Sequence, residues 1–183
     1  KILDTSMGFT PLSGIEMGTR CGDIDPAIVP FVMDKTGMTP DEMNNYMNKK
    51  CGFLGVSGVS SDCRDVSNAA KEGNHRAQLA MDLIVHYARK LIGSYVAEMN
   101  GVDVLVITAG LGENDAKVRN GILTNLDYLG VKINEELNMN APRGTMIDLT
   151  AEGSKVKVLV IPTDEEMMIA KDTQKLADEF YAK

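Results

Sequence analysis

Between residues 74 and 99 apolar positions return every three or four residues. Ala80, Ile84, Tyr87, Ala88, Leu91, Ile92, Tyr95, Val96 and Met99 fall on one face of a helix. That period predicts an element about 40 Å long, enough to organise a core. Two other stretches follow a different rule. "VDVLVITAG" (102–110) and "KVKVLVIPT" (155–163) are near-continuous β-branched runs, the pattern of strands buried on both faces. "GLGEN" turns the first directly into an amphipathic segment at 115–127, and the second feeds "DEEMMIAKDTQKLADEFYAK". Strand, tight turn and helix, twice over, predict an α/β fold with a largely parallel sheet.

The first seventy residues are punctuated more densely. "KILD" reads as a short strand, followed by an irregular, glycine-dotted segment at 6–24. "DPAIVPFVMDKTG" predicts a short helix with Asp25 as N-cap and Pro26 at its first position. "TPDEMNNYMNKKCG" repeats the device, with Thr39 as N-cap, Pro40 next, Glu42 completing a capping box and Gly52 after the end. "GFLGVSGVSSDCRD" reads as a Gly/Ser-rich turn region that leads into a helical stretch at 64–71. No repeat and no long polar linker divides the chain, so residues 1–183 are expected to form a single domain.

Composition narrows the function classes. Hydrophobic residues make up 44% of the 183, enough for a real core, and the 12 methionines are expected to serve its packing. Net charge is −7, no run of Lys or Arg exceeds two, and no aromatics interleave with a basic stripe. Nucleic acid is therefore not an expected partner, because counterion release needs clustered cations. An anionic ligand would need a locally built site. Cys21, Cys51 and Cys63 are odd in number and lack CxxC spacing, which reads as reduced thiols in a cytoplasmic protein. No apolar run approaches the ~20 residues of a membrane span, and no signal peptide is recognisable. His75 and His86, eleven apart on the long helical segment, are assigned packing or surface roles. The start, "KILDTS", lacks an initiator Met and reads as mid-strand, so a fragment is expected.

Three stretches of unusual composition fall at or near strand ends, where open α/β sheets place their ligands. In "TAGLGEN" (108–114), Gly110 and Gly112 would let the backbone turn sharply and approach a flat ligand, while Asn114 could cap the next helix. A plain strand-to-helix turn explains the same residues. It is not a dinucleotide fingerprint, because Asp115 stands where the third glycine belongs, and no GxxxxGK[ST] loop occurs in the chain. In "SGVSSDCRD" (57–65), small residues leave room for a ligand with Asp62 and Arg64 at its rim. The alternative is a helix start capped by Ser60, Ser61 or Asp62, with Arg64–Asp65 a surface pair. In "PTDEE" (162–166), Thr163 or Asp164 could cap while Glu165 or Glu166 complements the helix dipole, or one carboxylate could face a hard cation. Arg20, set among Gly18, Thr19, Cys21 and Gly22, could reach a phosphate bidentately or pair with Asp23 or Asp25.

Taken in order, these stretches resemble one family. "DTSMGFTPLSGIEMGTRCGDIDP" looks like a signature segment of the acetate kinases, and "SGVSSDCRD", "TAGLGEN" and "VLVIPTDEEMMIAKDT" are similar to their later conserved stretches. Propionate and butyrate kinases share much of the pattern. The resemblance implies a ribonuclease H-like (actin-like ATPase) α/β domain, a mixed, mostly parallel sheet flanked by helices and lacking its first strands. It implies reversible transfer of the ATP γ-phosphoryl group to acetate, with Mg²⁺ or Mn²⁺, in a cytoplasmic homodimer. By the same resemblance, Arg20 stabilises the transferring phosphoryl group. Asp62, Cys63 and Arg64 contact ADP, with Cys63 through its backbone. Gly110, Leu111, Gly112, Glu113 and Asn114 form the adenosine turn, and Glu165 is associated with the metal. The chain corresponds to the C-terminal, nucleotide-side domain; with the N-terminal domain absent, the isolated piece is expected to be inactive. A non-catalytic nucleotide-binding or dimerisation module is the alternative.

Overall fold

The computed structural model describes residues 2–181. It forms two compact units, Lys1–Val102 with Gly121–Thr124, and Asp103–Asn120 with Asn125–Lys183.

The first unit is helical. Residues 2–4 form no strand, and Ile2 and Leu3 are exposed, so the short strand expected at "KILD" finds no partner backbone among the described residues. Helix α1 (Ile28–Thr36) begins two residues beyond the expected start. Asp25 still organises the entry, its carboxylate accepting the Ala27 amide at 2.9 Å, but it caps a turn that precedes the helix. Helix α2 (Pro40–Lys49) has the predicted capping box: Thr39 Oγ1 accepts the Glu42 amide and the Glu42 carboxylate accepts the Thr39 amide at 2.8 Å. Gly52 does not trail α2 but opens a further helix, α3 (Gly52–Ser57), where a turn region was expected. Helix α4 (Cys63–Lys71) follows, with Asp62 as N-cap.

Helix α5 (His75–Met99) matches the predicted long helix to within a residue and is capped by Asn74, whose Oδ1 accepts the amides of Arg76 and Ala77. Helices α3 and α4 pack on it. Its buried positions are Ala77, Ala80, Ile84 and Ala88, at the helical spacing of three and four. Phe53 of α3 and Val66 of α4 are buried with them, each such side chain contributing about 1.5–3 kcal/mol. The remaining predicted face, from Leu91 to Val96, is half-exposed, and Met99 is exposed.

The second unit is built on a three-stranded sheet of order β1-β3-β2. Strand β1 (Val104–Ile107) pairs parallel with β3 (Lys157–Val160), Ile107 opposite Val160. The short strand β2 (Ile147–Asp148), which the sequence reading did not anticipate, pairs antiparallel with β3. The sheet is thus mixed and the α/β expectation holds. Val158 and Val160 are buried, as are Leu149 and Val156. Strand β1 differs from expectation, since Val104 and Val106 are exposed. Leu105 and Ile107, on its other face, are half-buried, so its continuous apolar run is covered on one face alone. After β1 the chain forms helices α6 (Ala109–Asn114) and α7 (Ala116–Leu123), a 3-10 turn at Asp127–Leu129 and helix α8 (Glu135–Met139). Helix α9 (Glu165–Tyr181) follows β3 and buries no residue.

Candidate functional site

The candidate residues fall in both units. In the first, Arg20 sits on a loop that other groups hold from two sides. Asp23 closes it: its Oδ1 accepts the Gly14 amide at 2.7 Å and the Ser13 hydroxyl at 3.0 Å, and its amide donates to the Gly14 carbonyl. A tighter turn inside, Met17 amide to Arg20 carbonyl at 3.1 Å, brings the backbone around under the arginine.

The opening of α3 holds the other side. The amides of Cys51, Phe53 and Leu54 donate to the carbonyls of Thr19, Met17 and Gly18 at 3.0, 2.9 and 3.0 Å. The first amides of a helix have no partner inside it, and here the arginine loop supplies them. Gly52 makes the approach possible: its φ is +59°, and a Cβ would collide with the Met17 carbonyl oxygen.

Arg20 is half-buried and forms no ion pair among the described residues. Its Nη1 lies 3.4 Å from the Met17 sulfur. The alternative pairing with Asp23 or Asp25 is not realised, because Asp23 is engaged by the loop and Asp25 by the Ala27 amide. Gly18 also carries the loop against the next candidate segment, where a Cβ would stand 2.7 Å from the Ser61 carbonyl oxygen. The structure therefore brings the Arg20 loop to the residue preceding Asp62.

Asp62 has two tasks. Its Oδ1 accepts the Arg64 amide at 2.8 Å, capping α4, and its carboxylate is gripped by the Arg64 side chain through Nε (3.1 and 3.2 Å) and Nη2 (2.6 Å). The Arg64 hydrogen bonds hold the Asp62 pKa down to about 2. The capping alternative for Asp62 is realised, while the surface pair differs from expectation, since Asp65 accepts the Ser60 hydroxyl instead. Cys63 turns its thiol toward the Met81 sulfur, 3.8 Å away.

In the second unit, "TAGLGEN" and "PTDEE" meet at the carboxyl ends of the adjacent parallel strands β1 and β3, the usual ligand edge of such sheets. The first is not a simple turn. Ala109 takes φ +63°, a left-handed conformation costly for a residue with a Cβ, and α6 starts on it. Gly112 is required by packing, because a Cβ would lie 2.7 Å from Ile107 Cγ2. Gly110 is not: its φ is unexceptional and a Cβ there would meet nothing within 4 Å. Leu111 is half-exposed.

Asn114 does not cap the following helix. It closes α6, donating to the Gly110 carbonyl at 2.8 Å, and Asp115 caps α7 by accepting the amides of Lys117 and Val118. Glu113 accepts both the amide and the hydroxyl of Thr163, at 2.9 and 3.1 Å. Asp164 caps α9 through the Met167 amide, which leaves Glu165 exposed in its first turn.

Two residues that the sequence reading passed over hold this end of the sheet. Arg119 and Asn138 are buried at 2% and 0% exposure and joined by hydrogen bonds. Arg119 lies in an ordinary amphipathic stretch, and nothing in its neighbours along the chain marks it as buried. Among the described residues no three His, Cys, Asp or Glu groups gather as a metal site, and no helix is long and apolar enough to cross a membrane.

Comparison with known proteins shows the family and the fold. The acetokinase family model matches residues 1–171. An acetate kinase of Moorella thermoacetica is 58% identical over 173 residues, covering 94% of this chain and 43% of that protein. Among solved structures, Porphyromonas gingivalis acetate kinase superposes with a TM-score of 0.89 at 44% identity, covering 96% of this chain and 44% of its own. A propionate kinase from Francisella tularensis gives 0.83 at 40% identity, with 92% and 42% covered. The chain spans less than half the length of these relatives.

Proposed function

The chain belongs to the acetokinase family, whose solved members share its actin-like ATPase α/β fold, and from that membership we propose that it is the nucleotide-side domain of an acetate kinase. In this reading the whole protein transfers the γ-phosphoryl group of ATP to acetate, reversibly, giving acetyl phosphate and ADP. Residues 1–183 form its C-terminal domain, and a preceding domain completes the cleft.

The observation that carries the reading is the start of α6. A left-handed Ala109 and Gly110, a glycine that no neighbour among the described residues requires, stand together at the carboxyl end of β1. Strain and bareness at a strand end have a use if a flat ring lies against the backbone there. Gly110 to Asn114 would then carry the adenosine, with Asp62, Cys63 and Arg64 at the diphosphate. Arg20, a guanidinium without an anionic partner among the described residues, would meet the equatorial oxygens of the transferring group. Such a cation stabilises a transition state whose charge is spread over those oxygens.

Mg²⁺ fits one donor present. Glu165 is an exposed carboxylate at the same edge, and Mg²⁺ commonly takes one or two carboxylates, substrate phosphates and water rather than a full protein cage. Bound there, the cation would neutralise charge on the phosphates. The chain's own contribution is to aim Glu165, through the Asp164 cap on α9. A cytoplasmic homodimer completes the reading.

The 183-residue chain alone is proposed to be inactive, because one wall of a two-walled site cannot position both substrates. Calorimetric titration with Mg·ADP and a coupled acetyl-phosphate assay, run on this chain and on the full-length protein, test the proposal. Full-length turnover with acetate is expected, and its absence overturns the function. Turnover of the short chain near that of the whole would overturn its incompleteness. Propionate is the second acyl substrate to assay, given the likeness to a propionate kinase. No acyl-substrate turnover by the full-length protein, together with a short chain that stays folded and dimeric but binds no Mg·ADP, would leave only the non-catalytic role.

A further inference from the structure

The Arg119 guanidinium is divided among four acceptors. Nε donates to Asn138 Oδ1 at 2.7 Å and Nη2 to the Asn138 carbonyl at 2.9 Å, while Nη1 donates to the carbonyls of Gly112 and Glu113 at 3.0 and 2.9 Å. Asn138 completes the arrangement by donating from Nδ2 to the Ala116 carbonyl at 2.9 Å. Arg119 itself forms no ion pair among the described residues. Burial lowers the Arg119 pKa, and the Asp115 charge offsets this only in part.

A buried charge satisfied by carbonyls alone is an expensive way to fill space, and an apolar side chain of similar volume would commonly be as stable. What the guanidinium adds is geometry. Gly112 and Glu113 lie in the last turn of α6, whose carbonyls have no partners within the helix. A six-residue helix that begins on a left-handed alanine does not hold itself in place. Arg119 fixes its closing carbonyls, and Thr163 fixes the Glu113 side chain.

We propose that Arg119 is a positioning residue for the nucleotide: by fixing the Gly112 and Glu113 carbonyls it sets where the bare Gly110 backbone stands against the base. This rests on the nucleotide-side reading of α6. Arg119 touches no substrate in it, and acts only through the turn.

The test is Arg119→Lys in the full-length protein, with the ADP Kd from calorimetry and separate KM values for nucleotide and acetate. A lysine ammonium cannot span both carbonyls and Asn138 as the planar fork does. The nucleotide Kd and KM should rise roughly tenfold or more, with the acetate KM unchanged. A purely structural residue would lower the melting temperature and move neither KM selectively. If Arg119→Lys does not fold, Asn138→Asp replaces it, keeping an acceptor for Nε and losing the donor to Ala116. It should give the same selective rise, smaller in size. Folded variants with nucleotide affinity within about twofold of wild type, or with equal losses for both substrates, overturn the positioning role. Absence of ADP binding by the wild-type protein overturns the nucleotide reading itself.

Discussion

The Glu113 carboxylate accepts two hydrogen bonds from Thr163, one from its amide and one from its hydroxyl, across 50 residues of sequence. The contact ties the turn after β1 to the turn after β3, so the two strand-end segments are braced as one edge. Glu113→Ala should cost about 0.5–1.5 kcal/mol of stability, the usual net value of such bonds, read as a lowered melting temperature. Hydrogen exchange should quicken at the Thr163 amide. An unchanged exchange rate there would show that the turn after β3 is held by something else.

Gly52 lies where the first turn of α3 meets the Arg20 loop. Its φ of +59° and the Met17 carbonyl directly in the path of any Cβ leave no room for another residue. Gly52→Ala should destabilise the protein by about 2 kcal/mol or more and should displace the Arg20 loop. Activity should fall further than the loss of folded protein accounts for. Gly58→Ala is the control: its φ is also positive, +68°, but nothing stands within 4 Å of a Cβ, so only the backbone strain remains. Equal effects of the two substitutions would argue against the collision.

Asp62 and Arg64 form a local pair whose ionisation can be followed. The Arg64 hydrogen bonds hold the Asp62 pKa at about 2, below the ordinary carboxylate value. With a depressed folded-state pKa, any stability Asp62 adds is present above about pH 4 and is lost as pH falls through about 2. Arg64→Ala should return the Asp62 titration toward the ordinary range, about 3.9, in a carboxylate-carbon NMR titration. A titration that does not move would assign the depression to the helix cap alone.

Local chemistry was legible in the sequence and long-range pairing was not. The Thr39–Glu42 box, the extent of α5 and the strand character of β1 and β3 follow from residues a few positions apart. Strand "KILD" failed because β propensity needs a partner, and β2 was missed because two residues carry no period. "GLGEN" was read as a turn on its glycines, yet Gly112 is there to admit Ile107 and Asn114 to close a helix. The resemblance singled out Gly110, Glu113 and Glu165, which the fold places at one sheet edge. It could not show Arg119 and Asn138, whose role exists only once residues 19 apart have been folded together.

Replacing Arg20 tests catalysis apart from nucleotide binding. It forms no ion pair among the described residues, so its charge serves no ionic contact within the loop. Arg20→Ala in the full-length protein should lower kcat by roughly 10³-fold, the scale of a phosphoryl-contacting arginine, and leave the ADP Kd nearly unchanged. Arg20→Lys should recover only part of the loss, since an ammonium cannot meet two oxygens in a plane. Turnover within a few-fold of wild type in Arg20→Ala would remove this residue from the reaction.

Glu16, four residues before Arg20, is buried at 6% exposure with neither carboxylate oxygen hydrogen-bonded. It lines a cavity of about 340 Å³ with Asp23, Lys50, Tyr46, Tyr87 and the thiols of Cys21 and Cys51. Burial raises the Glu16 pKa. A raised folded-state pKa means that the folded protein holds its proton at pH values where the unfolded chain has lost it. Stability from this group is therefore full below the ordinary carboxylate range and declines as pH rises through the raised value. Glu16→Gln, which keeps the shape and removes the charge, should match wild type near pH 4 and exceed it near pH 8 by on the order of 1 kcal/mol. Denaturant melts at the two pH values measure the difference. A Gln variant less stable than wild type near pH 8 would mean that the carboxylate is paired as an anion in the folded protein, with Lys50 the first cation to test.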